Sequence, residues 1–114
     1  MMTNEDLVRY LEGLGLKVEV LNHTSGKWIV ICDFRIASGA LRGQTCDVAV
    51  LWSPQVPYVA PSAIQVRPHV VAMGTRNAQQ SPLGQDWQYL SRVLRGNPTP
   101  KAWLVHINTI FAEL

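Results

Sequence analysis

The chain has 114 residues, enough to bury one hydrophobic core and too few for two, so a single domain over 1–114 is expected. With 47% hydrophobic and 16% charged residues it does not have the composition of a disordered tail, and a formal charge of +2 gives no reason to expect a nucleic-acid partner. Apolar runs such as Val48 to Trp52 fall far short of the ~20 residues that span a bilayer, and the start MMTNEDLVRY has no basic region followed by an apolar stretch, so a cytoplasmic protein without membrane contact is expected.

The stretch TNEDLVRYLEGLG places Thr3 three residues before Asp6, a capping-box pattern, and sets Leu7, Leu11 and Leu14 on one stripe. It predicts an amphipathic helix from about Asn4 to Leu14, stopped by Gly13 and Gly15. Then LKVEVL, KWIVICDFRI and TCDVAVLW alternate or are rich in β-branched and aromatic residues, which predicts three strands. The connections NHTSG and ASGALRGQ are short and polar, as antiparallel hairpins require.

Next, SPQVPYVAPS carries three prolines in ten residues, and proline donates no ladder hydrogen bond, so this segment is expected to be an extended flap. AIQVRP follows as a fourth strand, with Ile64 and Val66 on one face. Between His69 and Gly84 no period is sustained, and a long surface connection is expected. QDWQYLSRVLRG, with Trp87, Leu90 and Leu94 roughly aligned, reads as a helix. A last helix begins at TPKAW, where Thr99 caps and Pro100 fits the first turn, and its apolar stripe is Trp103, Ile107, Ile110, Phe111 and Leu114. Strands followed by helices give an α+β class: an N-terminal helix, a four-stranded antiparallel meander, a proline flap and two C-terminal helices.

Cys32 and Cys46 both fall inside strand-like apolar runs, which suits reduced core thiols better than a disulfide framework. Zinc ligands would have to come from His23, Cys32, Cys46, His69 and His106, none of them at close pair spacing, so no metal is expected. No phosphate-cradling glycine motif, nucleophile elbow or paired-carboxylate pattern occurs, so no cofactor is expected either. Charge is unevenly spread: Arg67, Arg76, Arg92, Arg95 and Lys101 stand against Asp86 alone, a basic stretch suited to an acidic partner surface. Trp87, with Arg92 and Arg95 nearby in sequence, is the candidate partner-binding group, although tryptophans chiefly serve cores.

Three local patterns, in this order along the chain, resemble the ubiquitin-conjugating-enzyme (Ubc-like) superfamily, which includes inactive variants and RWD domains. In PYVAP, Pro57 and Pro61 match the spaced prolines of the family's flap around Tyr58, with Val56 where a tyrosine is usual. The family's His-Pro-Asn motif, followed by Gly-Thr and then the catalytic cysteine, falls on Arg67, Pro68, His69, Gly74 and Thr75, and the cysteine position falls on Asn77 or Ala78. DWQYLSRVLRGNPTPKAW resembles the tryptophan-containing crossover and following helix of a bacterial branch, with Val93 where that branch often has histidine.

The resemblance implies a Ubc-like fold, a place in a bacterial protein-conjugation pathway and a role in antiviral defence. It leaves three readings open. The first is a catalytically inactive module, a pseudoenzyme, that binds a ubiquitin-like protein or another enzyme of the pathway, because thioester chemistry needs a sulfur nucleophile and neither Asn77 nor Ala78 supplies one. The second is an active conjugating enzyme whose cysteine has been replaced or displaced. The third is an RWD-like interaction scaffold.

Overall fold

A computed structural model of the chain describes residues 3–52, 62–76, 78–94 and 99–114. Helix α1 (Asn4–Gly13) starts at the expected cap: the Thr3 side chain accepts from the Asp6 N–H, and the Asp6 carboxylate accepts from the Thr3 N–H, both at 3.1 Å. This reciprocal pair satisfies amides that the helix itself leaves free. Leu7 and Leu11 are fully buried, whereas Leu14 sits beyond the last turn and is 53% exposed, so the stripe ends one turn earlier than its spacing suggests.

Strands β1 (Lys17–His23), β2 (Gly26–Arg35), β3 (Thr45–Leu51) and β4 (Ala63–Arg67) run as the expected antiparallel meander. The sheet does not close there. β5 (Gln79–Ser81) and β6 (Gly84–Ser91) form a further hairpin, and β6 pairs with β4, giving a six-stranded sheet in the order β1-β2-β3-β4-β6-β5. The segment expected to be a helix around Trp87 is therefore a strand, and the expected long connection carries β5 and the start of β6. Among the described residues a single C-terminal helix remains, α2 (Pro100–Ala112), capped by Thr99 through the Ala102 N–H at 3.2 Å. The class is α+β as expected, with six strands instead of four and two helices instead of three among the described residues. The proline flap, with Pro57, Tyr58 and Pro61, lies outside the described residues.

Alternation along the strands gives the sheet two different faces. On one, Ile29, Ile31, Val48, Val50, Ile64, Val66 and Leu90 pack with Leu7 and Leu11 of α1 and with Trp103, Ile107, Ile110 and Phe111 of α2. Every member of the predicted α2 stripe is buried, and Phe111 stacks on Phe34 with ring centroids 5.6 Å apart. On the other face Trp28, Val30, Ala49, Leu83 and Trp87 form a smaller apolar cluster. The loop from β2 to β3 docks on the end of α2 at Gly39, where an added Cβ would lie 2.8 Å from the Ala112 carbonyl oxygen and the backbone has φ +87. Glycine alone fits both conditions. Among the described residues no helix is long and apolar enough to cross a membrane.

Candidate functional site

The segment from Arg67 to Ala78 leaves the end of β4 and returns to the sheet at β5. Arg67 lies opposite Asp47 of β3, and the two side chains form an ion pair, with Nη2 at 2.7 Å and Nε at 3.2 Å from the same carboxylate oxygen. The other oxygen of Asp47 accepts the Asp33 N–H at 3.1 Å, at a bulge where Asp33 takes φ +55. The Arg67 guanidinium also lies 4.6 Å from the centre of the Trp87 ring, a cation–π contact. The charge of Arg67 is therefore already engaged inside the protein. The Arg67–Pro68 peptide is cis.

The Nε2–H of His69 donates to the Trp87 carbonyl at 3.0 Å, so the ring ties the loop to β6. The following residues are held by a group that sequence reading missed. Gln88, fully buried on β6, accepts the Val70 and Val71 N–H groups at 3.1 and 3.4 Å through Oε1, and its Nε2 donates to the Val71 carbonyl at 2.7 Å and to Met73 Sδ at 3.2 Å. One side chain thus replaces a neighbouring strand for this part of the loop. A lone glutamine in an apolar run is the only mark it leaves in the sequence.

The loop then tightens. Thr75 donates through both its amide and its hydroxyl to the Ala72 carbonyl, the Ala78 N–H donates to the Thr75 carbonyl at 2.8 Å, and the Gly74 N–H donates to the Ala78 carbonyl at 3.1 Å. Gly74 with φ +80 and Arg76 with φ +48 turn the chain. Ala78 ends this turn 1% exposed, packed into the main core. Asn77 lies outside the described residues.

Of the expected partner-binding group, Trp87 is 6% exposed and belongs to the smaller apolar cluster, so it is not a free stacking platform. Arg92 is tied inward: Nε donates to Glu113 at 2.9 Å, and Nη1 to the Ser91 carbonyl at 2.7 Å and the Arg76 carbonyl at 3.4 Å. It clips the turn to the end of α2. Arg95 lies outside the described residues. Val93 is 80% exposed beside an open cleft of about 450 Å³ lined also by Ser62, Ser91, Arg92 and Leu94.

Both cysteines sit in strands, in β2 and β3, and both thiols are free. Burial, followed by the negative charge of Asp47, pushes Cys46 up to about 12. Burial also raises Cys32, and after it the carboxylates of Glu19 and Asp47. Neither supplies a thiolate near neutral pH, which is the form a nucleophile needs. Among the described residues no three His, Cys, Asp or Glu side chains gather closely enough to hold a metal ion.

A family model described as "Prokaryotic E2 family E" matches residues 3–114. The chain belongs to this prokaryotic E2 family. Nothing matches it among curated proteins or among solved structures. Membership relates the chain to protein-conjugation pathways and to the proteins that act in them. In this member of the prokaryotic E2 family, the loop after β4 is built from backbone turns, a buried glutamine and an alanine in the core.

Proposed function

We propose that this prokaryotic E2 family chain is a catalytically inactive, Ubc-like module that binds a ubiquitin-like modifier, or a partner enzyme of the same pathway, while another subunit carries out the transfer. The observation that carries the reading is the loop itself: no residue from Arg67 to Ala78 is a cysteine, and Ala78 is sealed in the core where a sulfur would be out of reach of a second protein. Transfer through a thioester requires a sulfur that accepts the modifier's acyl group and yields it to an amine. The two thiols of the chain are embedded in strands with their pKa values raised, which disfavours the reactive form.

Binding without chemistry would use the surface around the loop. Met73 is 43% exposed at its crest, and Arg76 and Lys101 are exposed bases available to an acidic partner. Arg67 and Arg92 are matched internally by Asp47 and Glu113, so the basic stretch presents less charge than its composition suggests. Its effect falls on the rate of encounter more than on affinity. Cytoplasmic location and a part in antiviral defence belong to the same proposal.

The test is incubation of the purified chain with ATP and with a prokaryotic activating enzyme and its ubiquitin-like protein from the same genome, paired with an NMR titration. The expected result is no thiol-reducible adduct on the wild-type chain, together with amide shifts that include residues 69–76. A reducible adduct on Cys32 or Cys46 would overturn the inactive reading. The absence of shifts with both the modifier and the activating enzyme would overturn the binding reading and favour a scaffold.

A further inference from the structure

The outer face of the sheet holds a cavity separate from the loop. Three strands contribute side chains in a row across it: the register sets Ala49 beside Gln65 and Gln65 beside Tyr89, with Leu51 and Ala63 in the next row. Gln65, Tyr89, Leu51 and Ala63, with Ser62, Trp28 of β2 and Pro82 from the turn between β5 and β6, line a half-open cavity of about 290 Å³. No charged side chain is among the described lining residues. The size lies at the lower end of ligand pockets, which begin at ~300 Å³, and suits one planar side chain better than a folded surface.

Gln65 is 4% exposed and lines this cavity, and its Oε1 has no hydrogen-bond partner among the described residues. It is the sole buried side-chain oxygen or nitrogen among them in that state. The contrast with Gln88, whose amide is engaged at both ends, shows that the fold can satisfy a buried glutamine where structure alone requires it. An acceptor left bare in an apolar, aromatic cavity loses its water without compensation, and an N–H brought in by a ligand would restore the missing bond.

We propose that this cavity binds the tryptophan side chain of an extended segment of a partner protein, its ring packed between Trp28 and Tyr89 and its indole N–H donated to Gln65 Oε1. The neutral lining excludes a charged group. Among the lining residues Gln65 Oε1 is the one buried acceptor without a partner, and a single donor would satisfy it. The open side leaves room for the backbone that carries the ring, which a free small molecule would not need. The proposal is independent of whether the loop after β4 is catalytic.

The test follows the side-chain and amide resonances of Gln65, Trp28 and Tyr89 while the chain is titrated with N-acetyltryptophanamide, with its 1-methylindole analogue and with free indole. The expected result is saturable shifts at these residues with N-acetyltryptophanamide and about tenfold weaker binding of the methylated analogue, equivalent to about 1.4 kcal/mol. In a Gln65→Leu variant the discrimination between the two should vanish while the remaining spectrum stays that of the folded protein. Equal binding of both compounds, or no shifts at these residues, would overturn the site. Binding of free indole without N-acetyltryptophanamide would overturn the peptide occupant.

Discussion

The two faces of the sheet treat the same residue types in opposite ways. On the face covered by α1 and α2, Gln88 has its amide fully engaged and Cys46 is sealed; on the outer face Gln65 keeps a bare oxygen and Cys32 is only partly covered. A buried polar group that is satisfied acts as structure, because removing it strands its partners. One that is unsatisfied weakens the fold slightly and gains only when something binds. The difference separates residues that hold the candidate site together from residues that wait for a ligand.

The sharpest way to break this comparison is at Gln88. Gln88→Leu would leave the Val70 and Val71 amides and the Val71 carbonyl without partners, and a loss of about 3 kcal/mol is expected in urea unfolding. A loss below about 0.5 kcal/mol, the range of ordinary surface changes, would remove Gln88 from its organising role. The next effect is alkaline. Because the folded protein holds the Cys46 thiol up to about 12 from 9.0, it keeps a proton that the unfolded chain releases, so stability is fully present below pH 9.0 and declines as pH rises towards 12. A decrease of about 1.4 kcal/mol by pH 10 is expected, and a Cys46→Val variant should flatten that part of the profile. A profile unchanged by the substitution would assign the decline to other groups.

Arg92→Ala frees the turn at Arg76 from the end of α2 and should cost about 1 kcal/mol, with increased hydrogen exchange at residues 74–76. Exchange unchanged there would mean that the clip does not hold the loop. The smallest effect is expected at Gln65. Gln65→Leu removes an unpaired oxygen and should leave thermal stability unchanged or raise it by up to about 1 kcal/mol, whereas clear destabilisation would show that Gln65 is structural after all.

Much of the fold was legible wherever one pattern dominated. The Thr3 and Thr99 caps, the α2 stripe and the first four strands follow from side-chain periodicity and from what each cap residue can accept. β6 was misread because both of its faces are covered: Trp87 and Gln88 are buried side by side, so the apolar/polar alternation of a half-exposed strand is missing, and Trp87, Leu90 and Leu94 happen to fall at helical spacing. A buried glutamine at a core-facing position hides the period further. For the loop after β4, motif order says nothing of how it is held. Gln88 is 15–18 residues away from the groups it bonds, and such pairings depend on a hairpin that the local sequence did not announce.

The two rims of the sheet are unequal. β5 offers three residues, too short a template for another strand, while β1 offers seven, with Lys17 and Glu19 paired across 3.5 Å on the same side. Charges placed along an open rim discourage the flat stacking of chains that leads to fibrils. At the concentrations used for NMR, aggregation through backbone pairing would therefore begin at β1, and neutralising Lys17 and Glu19 together would lower the solubility limit before it altered the fold.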